Sequence, residues 1–372
     1  MSFKIPAWYI LSAFYLMLYQ LKLYGDVSVA DVIPVIVVFL NVKLMKRREI
    51  FALVSIFLIY LFVQIFVDLF NQVLLIDVFK NIGRVSVIFI YCYCFIVLLN
   101  KNVKEAVGFI FIILLSEMLF GFSTSFLSAE SFYSFWRHGV GESITLLFIL
   151  FSFRYSNVGF LSLLIICAVN LTMDFRGMAA LSLVALIVLY AEKYKEISKQ
   201  KKEFFIVIIV FISLFSSYKA IDHFFSKGES VELSQRAETS NLVRKEMLTV
   251  LLVEMVSPNL FGNGYQGFKA SFIPPQTGNT YLDEQLSEGL PSHGYMLTSV
   301  YEVGKLALLC WLLVYFLSFK ALIRKATPGF FKVLLIYFVY GSFMLTSMSF
   351  DKYLIAISLG ILFYYGKKVC NA

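Results

Sequence analysis

The sequence is poor in charge and in the side chains that build most soluble active sites. Charged residues make up 15% of its 372 residues, whereas hydrophobic residues make up 60%, and there are three histidines and five cysteines. The mean hydropathy is +0.81. Because soluble globular domains carry about 25% charged residues, this composition excludes a soluble fold. It predicts an integral membrane protein that crosses the bilayer several times.

Several motifs that carry chemistry are also missing. No two aspartates stand two residues apart, which excludes the Asp-x-Asp pair that holds a divalent metal in many nucleotide-sugar transferases. There is no Walker A loop, no His-Glu-x-x-His and no Gly-x-Ser-x-Gly. Cys92, Cys94, Cys167 and Cys310 fall inside apolar blocks and Cys370 lies in the tail, so no disulfide is expected. The sequence therefore predicts no metal site and no cofactor.

What the sequence does contain is a series of apolar blocks of about the length that a bilayer requires. We predict twelve spanning helices, near residues 6–24, 28–43, 50–68, 83–99, 104–122, 140–154, 157–172, 177–192, 203–221, 293–319, 330–347 and 350–366. The first block lacks a small-residue cleavage site, so it is interpreted as a retained span rather than a signal peptide. The expected fold is one all-α, polytopic membrane helix bundle over residues 1–372.

Basic residues cluster in alternate connections between these blocks. The clusters are Lys43, Lys46, Arg47 and Arg48; Lys101 and Lys104; Lys193, Lys195, Lys199, Lys201 and Lys202; Lys320, Arg324 and Lys325; and Lys367 and Lys368. The positive-inside rule places them, with both termini, in the cytoplasm. This topology also explains the net charge of +8 without a nucleic-acid partner.

The same topology places one long hydrophilic segment, residues 222–292, on the outer side of the membrane. Within it, "NLVRKEMLTVLLVEMV" has the apolar spacing of an amphipathic helix, which we expect to lie along the membrane surface. Pro258 and the turn "FGNGYQGF" at 261–268 end that helix. The sequence therefore predicts a large outer loop, inserted before the tenth span, that contains amphipathic helix.

Charged residues at the outer ends of the spans are the candidates for chemistry, because charge at membrane depth is costly without a partner or a task. Arg176 opens the eighth span: it either pairs with Asp174 at the interface or faces a phosphate, which a guanidinium binds through two parallel hydrogen bonds. Arg244 has the same two interpretations on its amphipathic helix. Arg236 is an alternative to Arg244, and Arg84, at the outer start of the fourth span, is a weaker phosphate candidate.

His293 stands at the outer mouth of the tenth span. It is either a structural residue of the interface or a group that orients or deprotonates a sugar hydroxyl. Tyr295 follows it as a candidate for substrate binding. Glu302 lies two to three helical turns deeper, so it is a candidate either for substrate binding or for helix packing rather than for direct contact with His293.

Three motifs together resemble the bacterial O-antigen polymerase and O-antigen ligase superfamily of membrane glycosyltransferases. They are "FRGMAAL" with Arg176 at the start of a span, Arg244 followed by a helix and "PNLFGNGYQGF", and "HGYMLTSVYEVG", in which His293 is followed by ten residues and Gly304. The motifs cover residues 170–310, and the rest of the chain resembles the superfamily only in hydropathy. The usual His-Asn pair of the last motif is His293-Gly294 here.

The resemblance implies metal-independent glycosyl transfer at the periplasmic face of the bacterial inner membrane. Arg176 and Arg244 would bind undecaprenyl diphosphate, which carries the oligosaccharide repeat units, and His293 would orient or deprotonate the acceptor hydroxyl. Membrane lipids and a chain-length regulator protein are the other expected partners. We favour the polymerase. The alternatives are the ligase that transfers the chain to lipid A-core and, in another class, a polysaccharide or lipid-linked sugar transporter, for which midplane charged residues are not found.

Overall fold

The computed structural model describes residues 15, 18, 21–24, 27–41, 48–128, 135–136, 140–173, 175–193, 253, 256, 260–264, 295–343 and 352–367. In these residues two short strands, β1 (Lys22–Tyr24) and β2 (Val27–Ser28), and a 3-10 turn (Val29–Asp31) are followed by helices. The helices are α1 Val32–Leu40, α2 Arg48–Phe70, α3 Leu75–Lys101, α4 Val103–Ser128, α5 Gly141–Arg154, α6 Ser156–Thr172, α7 Arg176–Lys193, α8 Tyr295–Val303, α9 Lys305–Ile323, α10 Gly329–Phe343 and α11 Lys352–Lys367.

A helical architecture with membrane-spanning candidates is confirmed. Within the described residues, three helices are long and apolar enough to cross a membrane: Leu75–Lys101, Val103–Phe122 and Lys305–Ile323. Large apolar side chains lie on the outside of the bundle, for example Phe62 at 72% and Leu309 at 62% exposure. A surface this apolar is expected to face lipid.

The long helix α3 lies at the centre of the bundle and packs against α1, α2, α4 and α11. Its second half is buried on all sides, with Tyr91, Tyr93 and Phe95 fully enclosed. On the other side, α7 packs against α5, α6 and α10. The result is one large apolar core. Met296, Val300, Val303 and Ala307 of α8 and α9 form a smaller, separate apolar cluster.

Contacts between helix termini define the two ends of this bundle. Gly329, which begins α10, lies beside the Glu192 side chain near the end of α7 and beside Phe153 near the end of α5. Arg324, just after α9, donates from Nη1 to the Tyr365 carbonyl near the end of α11 at 2.8 Å. We call this the basic end, because it holds the ends of helices that precede the Lys/Arg-rich connections. Arg176, α8 and the beginning of α3 lie toward the opposite end.

The sequence places residues 22–24 at the end of the first span, but in the structure they form β1, paired antiparallel with β2. The intervening residues are Gly25 and Asp26, a dipeptide that favours a two-residue hairpin turn. A hydropathy profile does not detect this preference for a turn, because the strand residues Leu23 and Tyr24 are themselves apolar. The ninth predicted span, 203–221, lies outside the described residues.

Two further predicted spans differ from the structure. The fourth begins at Leu75 rather than near 83, and the charges before residue 83 are paired within the helix: Lys80 Nζ lies 2.9 Å from Asp77 Oδ1, one turn away. The tenth is not continuous, since it breaks at Gly304 into α8 and α9. Both differences occur at the end of the bundle opposite the basic end.

Candidate functional site

A chain of hydrogen bonds joins three helices at this opposite end. Gln64 Nε2 donates to Asp68 Oδ1 at 3.0 Å, and Asn81 Nδ2 donates to Asp68 Oδ2 at 3.3 Å. Arg84 Nη2 donates to Asn81 Oδ1 at 3.0 Å and forms an ion pair with Glu302 Oε2 at 3.3 Å. These five residues, the Arg84 cluster, come from α2, α3 and α8.

Most side chains of the Arg84 cluster are buried. Gln64, Asp68 and Asn81 are each 1% exposed, and the side chains of Arg84 and Glu302 are 31% and 8% exposed. Buried carboxylates are retained only where donors or opposite charges compensate the loss of hydration. The cluster supplies both, so it fixes the relative positions of α2, α3 and α8, while the Arg84 side chain stays partly exposed.

Segment 260–264 docks on the helix break next to the cluster. Asn263 N donates to the Tyr301 carbonyl at 2.8 Å and Gly264 N donates to the Glu302 carbonyl at 3.0 Å, while Lys305 N donates to the Leu260 carbonyl at 3.1 Å. The carbonyls at the end of α8 would otherwise lack intrahelical partners. The middle of the "PNLFGNGYQGF" motif therefore caps the end of the "HGYMLTSVYEVG" motif.

Two glycines make this approach possible. Gly304 has φ +93° and ψ −158°, a conformation adopted almost only by glycine. At Gly262 an added Cβ would overlap the backbone of Tyr301 and Glu302. The Gly262 carbonyl also accepts a hydrogen bond from Asn71 Nδ2 at 3.1 Å, just after α2 ends. The segment is thus held between the helix break and the end of α2.

A second set of polar contacts fixes the start of α7. Asn170 is fully buried; its Oδ1 accepts from Trp136 Nε1 at 3.1 Å, and its Nδ2 donates to Thr145 Oγ1 at 2.9 Å. Its backbone carbonyl accepts from Phe175 N at 2.7 Å, immediately before Arg176. An anchored Asn170 therefore sets where the helix that begins with Arg176 starts.

Two half-buried carboxylates lie on the helices around this position. Tyr337 Oη donates to Glu142 Oε1 at 2.7 Å, and Ser143 Oγ donates to Glu117 Oε2 at 3.2 Å. Glu142 and Ser143 are on α5 and Tyr337 is on α10, and both of these helices pack against α7. The half of the bundle opposite the basic end thus contains carboxylates near the start of α7 as well as in the Arg84 cluster.

The structure describes some of the residues predicted for the site and not others. His293, Arg244 and Arg236 lie outside the described residues, as do Asp174 and most of the outer loop. Arg176 and Tyr295 are described by their backbone and begin α7 and α8. Arg84 is not at a helix start, since it lies nine residues into α3, roughly 13 Å along its axis. Its ion pair with Glu302 joins two of the predicted residues directly.

The sequence analysis does not identify Asp68, Asn81, Glu117 and Glu142 as members of polar clusters. Asp68 is the last residue of the predicted span 50–68, Asn81 precedes the predicted span 83–99, and Glu117 stands singly within an apolar segment. A usable signal was the rule that a polar residue at membrane depth implies a partner. Applied to Asp68, it would have directed attention to Asn81 and Arg84, but the rule does not say which partner is chosen.

An apolar cavity of about 220 Å³ reaches from the Arg84 cluster toward the basic end. Its polar lining is Tyr60, Arg84, Ser299 and Glu302 at one end, and the remaining wall is apolar apart from cysteine. Within the described part of the chain, no group of three His, Cys, Asp or Glu side chains is arranged to hold a metal ion.

Comparison with protein-family models, with curated proteins and with solved structures finds no match to this chain. The function must therefore be argued from the residues and their arrangement. Three of the described helices are long and apolar enough to span a membrane. The middle of one sequence motif is joined to the end of another by backbone hydrogen bonds, and Arg176 begins a helix toward the same end of the bundle.

Proposed function

We propose that this protein is an O-antigen polymerase, a glycosyltransferase of the bacterial inner membrane. It would join undecaprenyl-diphosphate-linked oligosaccharide repeat units at the periplasmic face, without a metal ion. In this proposal the chain crosses the membrane about twelve times, both termini are cytoplasmic, and residues 222–292 form the periplasmic loop. The meeting of α5, α7, α9 and α11 termini at the basic end supports this topology, because it groups helix ends that precede basic connections.

The observation that carries the proposal is the docking of segment 260–264 on the end of α8. The segment lies within the motif that begins with Arg244, and α8 begins two residues after His293. Arg176 begins α7 toward the same end of the bundle. The contact between the two motifs and the position of the α7 start support a single site that combines Arg176, Arg244 and His293.

The proposed reaction needs two positive charges and one proton acceptor. The acceptor hydroxyl oxygen attacks the anomeric carbon, the bond from that carbon to the diphosphate oxygen breaks, and the bonding electrons leave with the diphosphate. Arg176 and Arg244 would stabilise the charge that grows on the leaving group, as a divalent metal does elsewhere. His293 would orient the acceptor hydroxyl or take its proton. Attack opposite the leaving group inverts the anomeric centre.

Arg84 has a different position in this scheme. Its guanidinium already faces Glu302 at 3.3 Å, and Asp68 is joined to it through Asn81. A diphosphate at Arg84 would therefore meet two carboxylates, which is unfavourable for a ligand with at least two negative charges. We assign the diphosphate to Arg176 and Arg244.

The direct test is disruption of the gene followed by electrophoresis of the surface polysaccharide. A polymerase predicts that a single repeat unit remains on the lipid A-core. Complete loss of repeat units from the core would identify the ligase instead. An unchanged banding pattern would contradict both assignments.

Restoring the disrupted strain with single variants tests the three residues. Arg176→Ala, Arg244→Ala and His293→Ala should each reduce chain elongation while the protein still inserts in the membrane. Arg154→Ala is the matched control, since Arg154 is exposed at the end of α5 near the basic end. Full elongation with any one of the three variants would remove that residue from the proposed site.

A further inference from the structure

The cavity beside the Arg84 cluster is walled by six helices, among them α8, which contributes Ser299 and Glu302. Ile88 and Phe89 of α3, Val314 of α9, Phe338 of α10 and Leu359 of α11 are among the side chains that enclose it, and α2 contributes to the same wall. An apolar cavity of about 150 Å³ in a protein stays dry and takes up small hydrocarbons. At about 220 Å³ this cavity is larger, so hydrocarbon rather than water is its expected content.

The distribution of polarity indicates an amphipathic occupant. The cavity has polar side chains at one end only, and those include an ion pair. Leu313 lines the cavity and is also 44% exposed, so the wall formed by α9 reaches the outer surface of the bundle. A lipid chain can enter there from the surrounding bilayer, while its headgroup stays at the end that holds Arg84.

The charges at that end distinguish between kinds of headgroup. Arg84 Nη2 and Glu302 Oε2 lie 3.3 Å apart, a cation beside an anion. A headgroup with a phosphate next to a primary ammonium matches this pair, with phosphate to Arg84 and ammonium to Glu302. A purely anionic headgroup would satisfy Arg84 but face the Glu302 carboxylate, and a quaternary ammonium has no N–H to donate.

We propose that this cavity is a binding site for phosphatidylethanolamine, with one acyl chain inside the bundle and the headgroup between Arg84 and Glu302. Tyr60 and Ser299, which line the same end, can donate hydrogen bonds to phosphate oxygens. The site is separate from the proposed glycosyl transfer and does not depend on it. Its occupancy would also keep Arg84 and Glu302 compensated where the cavity excludes water.

The test is native mass spectrometry of the purified full-length protein in detergent. Phosphatidylethanolamine, phosphatidylglycerol and phosphatidylcholine with identical acyl chains are added at equal concentration. Because the matched ion pair adds charge-assisted hydrogen bonds, phosphatidylethanolamine should be retained about tenfold more than either other lipid. Equal retention of all three, or preferential retention of phosphatidylglycerol, would overturn the proposal without use of any variant.

Variants then assign the binding to this cavity. Glu302→Gln should abolish the preference over phosphatidylglycerol, Arg84→Gln should reduce retention of both lipids, and Val314→Trp should fill the cavity and release the lipid. Lys80→Gln is the matched control, since Lys80 lies one turn before Arg84 and pairs with Asp77. Unchanged phosphatidylethanolamine retention in Val314→Trp would exclude the cavity as the site.

A competition separates this lipid from a polyprenyl substrate. Undecaprenyl phosphate is added at a concentration equal to that of phosphatidylethanolamine. The proposal predicts that phosphatidylethanolamine remains bound in the wild-type protein. Displacement of phosphatidylethanolamine from the wild type, with undecaprenyl phosphate retained by the wild type but not by Val314→Trp, would assign the cavity to the polyprenyl lipid. That result would overturn the inference and leave the proposed polymerase activity unaffected.

Discussion

Replacing Gly304 with alanine is expected to detach segment 260–264 from the helix break. The added Cβ would overlap the Leu260 carbonyl oxygen and lie 2.6 Å from Gly262 N and 2.8 Å from the Phe261 carbonyl carbon. All three are backbone atoms, which cannot rotate away as a flexible side chain can. The φ of +93° at Gly304 adds about 1–3 kcal/mol of backbone strain for alanine.

Detachment is less costly than keeping the segment in place. It breaks three backbone hydrogen bonds, from Asn263 N, Gly264 N and Lys305 N, and at about 1 kcal/mol each their loss amounts to about 3 kcal/mol. Keeping them would add steric overlap to the backbone strain. A loss of about 3 kcal/mol corresponds to a roughly 100-fold increase in the population of the detached state.

Hydrogen–deuterium exchange of the purified protein in detergent measures this change. The amides of Asn263 and Gly264 should exchange roughly 100-fold faster in Gly304→Ala than in the wild type, because exchange requires local opening. Gly83→Ala is the control, since a Cβ at Gly83 meets nothing within 4 Å and Gly83 lies next to Arg84 on α3. Unchanged exchange at these amides in Gly304→Ala would refute the docked arrangement.

Three further substitutions test the polar clusters by thermal unfolding in detergent. Arg84→Met should destabilise the protein by about 1–3 kcal/mol, which is less than the loss of a fully buried ion pair, because the Arg84 side chain is 31% exposed. The double variant Arg84→Met, Glu302→Met should recover part of that stability. No recovery in the double variant would contradict direct coupling of the two side chains. Tyr337→Phe removes the 2.7 Å bond to Glu142 and should cost about 1–3 kcal/mol, so an unchanged melting temperature would argue against that contact. Asn170→Leu leaves its buried partners without their bonds and should cost a similar amount, roughly 1–3 kcal/mol; wild-type stability would show that Asn170 does not anchor the start of α7.

Hydropathy predicts where most of the described helices lie, because long apolar runs have few alternatives in a membrane protein. It fails where charge occurs inside a helix. The fourth span is predicted to begin near residue 83, but the helix begins at Leu75. Asp77, Lys80 and Arg84 each find a partner within one turn or on a neighbouring helix. Such partners depend on tertiary structure, so a window of sequence does not reveal them.

The break in the helix at Gly304 is missed by the sequence prediction for a different reason. Gly304 stands at a fixed spacing after His293, but hydropathy predicts one continuous helix over residues 293–319. A single glycine within an apolar run is compatible with a helix. The helix is interrupted where segment 260–264, about forty residues earlier, docks its backbone between the end of α8 and the start of α9. The motif spacing indicated that Gly304 matters, but its conformation required the contact.

For the candidate site, the sequence identified Arg84 and Glu302 as separate residues, and the structure pairs them. It did not identify Asp68, Asn81 or Asn170, because single polar residues in apolar blocks have no periodic pattern. The roles of Arg176, Arg244 and His293 remain predictions that depend on the resemblance and on the geometry of the motif ends.

The central claim is that this chain elongates a lipid-linked polysaccharide. The most direct measurement is reconstitution of the purified protein in vesicles with undecaprenyl-diphosphate-linked repeat units extracted from the disrupted strain. The proposal predicts a ladder of longer lipid-linked products without added metal, together with release of undecaprenyl diphosphate, and no ladder with His293→Ala. Lipid-linked units that stay single in the presence of inserted wild-type protein would contradict it.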